Sequence, residues 1–124
     1  MHKLFIITGS LLGMLSVLIG AFGAHALKAT LEATGRLDTF ETAVKYQFYH
    51  SLGLILLGLL MTQYQHKAFN TAGIGFIIGT ILFSGSLYAL ALSGYTKLGA
   101  ITPLGGLAFI IGWGAFAWGA AKAL

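Results

Sequence analysis

Apolar residues fall into four long runs separated by short polar interruptions. The first extends from Leu4 to Leu27 without a formal charge. The second lies between Lys45 and Lys67, the third between Lys67 and Lys97, and the fourth between Lys97 and Lys122. A helix needs about 20 mostly apolar residues to cross the hydrocarbon core of a bilayer. The runs therefore predict four spans, over approximately 4–27, 46–65, 71–93 and 103–122. None of them alternates polar and apolar positions, which excludes a membrane β-barrel. The expected fold is all-α: one transmembrane domain over residues 1–124, built as an integral membrane four-helix bundle.

Local signals sharpen the ends. Asn70 is the expected N-cap of the third helix, and Gly94 its stop after Ser93. Thr102-Pro103 reads as the start of the fourth, with Thr102 as cap and Pro103 at the first helical position. The first helix is expected to run past His25 and stop near Thr34-Gly35. Asp38 with Glu41 three residues on resembles a capping box. Leu37, Phe40, Val44 and Phe48 then recur at helical spacing, and Glu41 and Lys45 form an i,i+4 pair in the favourable order. Helix two should thus begin outside the hydrocarbon, so that helices one and two form a hairpin with an extramembrane extension.

Composition agrees. Of the 124 residues, 57% are hydrophobic and only 8% charged, against about a quarter charged in a soluble domain. The net charge of +4 comes from lysines and an arginine placed singly between apolar runs. They read as interfacial anchors, not as a nucleic-acid surface. Without cysteine, disulfides and thiolate chemistry are excluded. The N-terminal run with Ala24-His25-Ala26 imitates a signal peptide. It is longer than a usual signal core and is read as a retained transmembrane helix. Lys and Arg divide three against four between the two sides, so charge does not set the orientation.

Small residues step along the helices at intervals that hold one face. In helix one these are Gly9, Gly13, Ser16, Gly20 and Gly23. In helix three they are Ala72, Gly75, Gly79, Ser86, Ala89 and Ser93, and in helix four Gly105, Ala108, Gly112, Ala115 and Gly119. Small faces let backbones approach where lipid supplies no hydrophobic drive. They point to a structural or accessory subunit acting through helix packing, with a homo-oligomer or a larger membrane complex as partner besides the bilayer itself.

Polar groups inside the predicted spans are few, and none is Asp, Glu, Lys or Arg. His25, Tyr46, Gln47, His50, Ser84, Ser86, Tyr88 and Thr102 are the candidates for a polar pocket. Tyr46, Gln47 and His50 share one helix face, and the hairpin would bring His25 and His50 to similar depth. A small-molecule binder or transporter would line its cavity with His50, Gln47, Ser84 and Tyr88. An enzyme would use His25 or His50 as acid or base, and Ser84 could approach His50. No third group to orient the imidazole and no oxyanion hole is readable, no third metal ligand is near, and no cofactor is implied. The bland reading is that the imidazoles bond to neighbouring helices. Trp113, Trp118, Tyr64 and Tyr95 read as interfacial belt or packing residues.

Several blocks taken together form a recognisable set: Gly20-Ala21-Phe22-Gly23-Ala24-His25-Ala26-Leu27, Tyr46-Gln47-Phe48-Tyr49-His50, Phe83-Ser84-Gly85-Ser86-Leu87-Tyr88, Leu98-Gly99 with Thr102-Pro103-Leu104-Gly105-Gly106, and Gly112-Trp113. The chain resembles the small bacterial membrane proteins grouped as domain of unknown function 423, whose eukaryotic relatives resemble transmembrane protein 256. The resemblance implies a multi-pass protein of the bacterial inner membrane and carries no activity to transfer.

Overall fold

The computed structural model describes residues 1–124 and contains helices and turns only. In chain order these are α1 (His2–Ala24), α2 (Lys28–Ala33), α3 (Leu37–Leu60), α4 (Lys67–Gly79), a π-helical turn (Thr80–Ser84), α5 (Gly85–Ser93), a 3-10 turn (Thr96–Ala100) and α6 (Thr102–Ala123). Three segments are long and apolar enough to cross a membrane: His2–Ala24, Lys67–Ser93 and Thr96–Ala123. Side chains such as Val17, Leu56, Ile81 and Ile110 stand exposed on the outside, as expected of a surface solvated by lipid.

The two most extensive helix contacts are α1 with α3 and α4 with α6. In both, glycines set the separation. Gly23 lies against the Phe40 ring, Gly20 faces Val44, Gly13 faces Ser51, Gly9 faces Leu54 and Ile55, and Gly58 faces Ile6. This antiparallel register places Ser51 opposite Gly13, the middle residue of α1. In the other pair, a Cβ on Gly75 would lie 2.9 Å from the Ala108 carbonyl oxygen and 3.1 Å from Gly112 Cα. Gly105 meets the Phe83 backbone, Gly112 the Phe76 ring and Gly119 the Phe69 ring. The glycines of the small faces read from the sequence are therefore occupied within this one chain.

Several ends differ from expectation. The first helix stops at Ala24: His25 leaves the helical region (φ −123°, ψ −82°), and the Leu27 amide bonds back to the Phe22 carbonyl. The break turns α2 so that Leu31 is buried with Phe40 and Ala91. Helix one therefore does not run on past His25 to Thr34 as a single helix. Asp38 and Glu41 make no capping box; α3 starts after Arg36 without a side-chain cap. Glu41 does not reach Lys45, and the ion pair that forms is Lys28 with Glu32, at 4.0 Å. His66, not Asn70, caps α4, its Nδ1 accepting from the Ala68 amide at 3.0 Å. The second apolar run stays helical only to Leu60. Gly94 does end its helix, in the left-handed conformation at φ 77°. Pro103 does sit in the first turn of α6, but Thr102 is not its cap.

The π-helical turn was not anticipated. A π turn adds a residue to the helical repeat and shifts everything after it. The small stripe of the third span consequently holds its face through Ala72 and Gly79 and then leaves it: Ser86 is still buried, whereas Ala89 and Ser93 are exposed.

Candidate functional site

The intramembrane polar residues are brought together in two groups. At the centre of the first is Gln47, on the face of α3 that points into the bundle. Its amide nitrogen donates to the Leu12 carbonyl of α1 at 2.9 Å, and its oxygen accepts from the Tyr88 hydroxyl of α5 at 2.6 Å. Beside it, Ser84 in the π turn donates to the Ala43 carbonyl at 2.8 Å. Further round, the Ser86 and Thr102 hydroxyls bond each other at 2.6 Å, tying α5 to α6. Each link joins two elements distant in sequence. Buried polar groups cost free energy unless paired, and these pair across helices, so they act as clips. Of the residues expected to line one cavity, His50 borders an open cleft, while Gln47, Ser84 and Tyr88 are bonded across helices.

The second group surrounds His50, which is nearly fully buried on the adjoining face of α3. Its Nδ1 lies 2.6 Å from the Tyr46 carbonyl, and its Nε2 lies 3.0 Å from Nε1 of Trp113 on α6. A carbonyl can only accept and an indole N–H can only donate. The imidazole is thereby fixed as the tautomer with the proton on Nδ1, and both ring nitrogens are engaged. Phe109 stacks on the ring with centroids 3.5 Å apart and planes inclined by 7°. Nothing is left on His50 to ligate a metal or to accept a proton while Trp113 holds this position. Ser84 is committed to Ala43, so the Ser–His pair considered from the sequence is not formed.

His25 belongs to neither group. It sits exposed at the end of α1, close to the level of Phe40. His50 is ten residues further along α3, about 15 Å at 1.5 Å per residue. The expectation that the two histidines share a depth is thus overturned by the register of α1 against α3. No set of three His, Asp or Glu side chains comes together anywhere in the chain.

Four residues at the His50 group were not singled out as partners in the sequence: Tyr49, Phe83, Phe109 and Trp113. Trp113 lies at the middle of α6 and follows the packing alternative, its ring set against Phe76 and His50. Phe109 and Trp113 are four apart and share a face, which was the available signal. It could be read only once α6 was known to lie beside α3. Trp118, by contrast, lies near the helix end with the Lys122 ammonium 4.7 Å from its ring centre.

Between α3 and α6 the His50 group forms the wall of a cleft of about 550 Å³. Tyr46, Tyr49, Phe83, Phe109, Ile110 and Trp113 line it with His50 and Gly106. The cleft opens sideways, since Tyr49 and Ile110 are 53% and 69% exposed. The phenol hydroxyls of Tyr46 and Tyr49 make no hydrogen bond within the chain, unlike that of Tyr88. The one buried side-chain polar atom without a partner lies elsewhere, the Ser51 hydroxyl at the α1–α3 crossing.

Comparison with known proteins gives a consistent picture. A family model described as "Protein of unknown function (DUF423)" matches residues 19–106. A UPF0382 membrane protein of Staphylococcus haemolyticus is 50% identical over 111 residues, covering 90% of this chain and 89% of the relative. The UPF0382 membrane protein YwdK of Bacillus subtilis is 45% identical over 112 residues, 90% of each chain. The UPF0382 inner membrane protein YgdD of Escherichia coli is 35% identical over 120 residues, 97% of this chain and 91% of that one. No solved structure matches. With three apolar spans and relatives of this kind, the protein is an integral protein of the bacterial inner membrane. The chain belongs to the DUF423 family of small bacterial membrane proteins, also named UPF0382, to which no activity is assigned.

Proposed function

We propose that the chain crosses the bilayer four times and binds an apolar small molecule, which enters sideways from the lipid into the cleft between α3 and α6. The fourth crossing is α3. Its packing along the whole of α1, from Gly23 beside Phe40 to Ile6 beside Gly58, supports the same depth for both helices. The observation that carries the binding reading is the cleft itself: an open, aromatic space at the level of the helix centres, in a chain whose other polar groups are nearly all satisfied. Ligand sites are typically concave, mostly apolar and equipped with a few polar groups.

An enzyme using His50 finds its imidazole already held on both sides, and His25 stands alone. A subunit acting through small-residue faces would have to use Ala89, Ser93 or other surface, because the glycines of those faces are filled internally.

Filling the cleft tests the reading. A side chain at Gly106 would meet only the edge of Phe83, 3.9 Å from a built Cβ. Protein purified in mild detergent should carry a hydrophobic molecule detectable by native mass spectrometry, and Gly106→Phe should lose it while keeping its thermal stability. Equal loading of both proteins would overturn the proposal.

A further inference from the structure

We infer that His66 is a pH-sensitive cap, a side chain that holds the first turn of α4 while its imidazole is neutral and releases that turn on protonation. Three observations carry this, and none of them depends on what occupies the cleft.

The first is the bond itself. His66 has an extended backbone (φ −161°, ψ 142°), and its Nδ1 lies 3.0 Å from the Ala68 amide nitrogen. A backbone N–H can only donate, so Nδ1 is the acceptor and the proton of the neutral ring sits on Nε2. This is the opposite tautomer to that of His50. The usual N-cap residues, Ser, Thr, Asp and Asn, accept through an oxygen and keep that ability at any physiological pH. An imidazolium donates from both nitrogens and cannot accept, and histidine ordinarily changes charge between about pH 5 and pH 8. The bond therefore contributes above that range and is lost as the pH falls through it.

The second is charge. The N-terminus of a helix carries partial positive charge, which disfavours a cation there. Lys67 follows His66 directly, and Tyr64 is the other titratable group of the surrounding turn. At the same end stand the amino terminus, His2 and Lys3 of α1, whose first turn meets Gly58, and Lys122 and the terminal carboxylate of α6, whose last turns meet Phe69 through Gly119. None of these forms an ion pair with His66. The three acidic side chains, Glu32, Asp38 and Glu41, lie in α2 and the first turns of α3, at the other end of that helix. No acidic side chain near the imidazolium offsets the loss of the cap.

The third is what the turn carries. The His66 ring meets Phe69 edge-on, with centroids 6.3 Å apart. Phe69 is fully buried and rests on Gly119 of α6. The first turn of α4 thus seats one end of the α4–α6 contact, and acidification on the side of the membrane that holds this turn loosens that end.

The test follows the Ala68 amide of the full chain in detergent micelles by NMR. Its protection against hydrogen exchange, corrected for the intrinsic pH dependence of exchange, should fall about fivefold between about pH 7.5 and about pH 5, the factor that one cap bond of ordinary strength represents. His66→Asn, which caps through an oxygen, should hold the protection constant over the same interval. His66→Ala should show the low value at both ends of it. Protection that stays constant in the parent chain would overturn the inference. An equal fall in His66→Asn would overturn it as well, by assigning the change to another titrating group.

Discussion

The two seams of this molecule differ in what their glycines admit. Along α1–α3 the glycines admit aliphatic side chains, the Ser51 hydroxyl, one ring, that of Phe40, and backbone, the Ser51 carbonyl at Gly9 and the His2 carbonyl at Gly58. Along α4–α6 they admit backbone too, where Gly75 meets Ala108 and Gly112, but otherwise aromatic faces, those of Phe69, Phe76 and Phe109. The first seam is pinned from inside by Gln47 and carries only shallow grooves on its outer side, beside Gly20 and Val44 and beside Ser16 and Phe48. The second brings its rings to the border with α3, where they stack on His50 and wall the cleft. Close approach alone thus gives a tight helix pair; close approach onto rings also creates a surface with shape. In lipid, where apolar burial adds little between helices, packing and interhelical hydrogen bonds must hold both seams together.

The aromatic seam should be the more easily broken. A Cβ at Gly105 would overlap the backbone of Phe83, which cannot swing aside. Gly105→Ala is expected to cost about 3 kcal/mol or more, at the upper end of overpacking effects. Gly85→Ala, with nothing within 4 Å of the new Cβ, should change stability by less than about 0.5 kcal/mol, as for an exposed helical position. Thermal unfolding of both variants in mild detergent checks the contrast, and equal melting temperatures would deny that the seam depends on contact.

A smaller effect is expected where the seams meet. His50→Phe keeps a ring to stack on Phe109 but removes the acceptor of the Trp113 N–H, at a cost of about 1 kcal/mol for a lost part-buried hydrogen bond. Adding Trp113→Phe should then cost less than Trp113→Phe costs alone. A double-mutant cycle measures this coupling, and strict additivity would mean that the His50–Trp113 bond contributes nothing.

The smallest effect belongs to the aliphatic seam. Ser51→Ala removes a hydroxyl that bonds to nothing, so stability should stay within about 1 kcal/mol of the parent or rise, since the buried unpaired group disappears. A loss of 2 kcal/mol or more on the same melting assay would show that Ser51 holds a partner in the membrane and that this seam too depends on polar contact.

Much of this was legible in the sequence. Gly9, Gly13, Gly20 and Gly23 faced a partner helix as their spacing required, and Gly94 stopped its helix. The errors arose where local preference met tertiary competition. Asp38 and Asn70 are good caps in isolation, yet Arg36 and His66 took those places because the turns before α3 and α4 were set by burial of Leu31 and Phe69. The stripe of the third span was extrapolated with a constant period, and the π turn broke it. At the candidate site, Tyr46, Gln47, His50 and Tyr88 were grouped from the sequence, but Leu12 and Trp113 were not recognised as their partners. Those partners lie 35 and 63 positions away in sequence, where no local spacing rule reaches.

Hydrophobic run lengths, charge spacing and the steps between small residues by themselves determined a lipid-solvated helical protein and which faces would touch, because these properties repeat along a single helix. Register, and with it the depth of His50 relative to His25, the tautomer of its ring and the opening between α3 and α6, was decided only by the packed chain. Such features depend on which atoms of different helices come within a few ångströms of one another, and a one-residue slip or a single π turn changes them without altering the hydrophobic pattern.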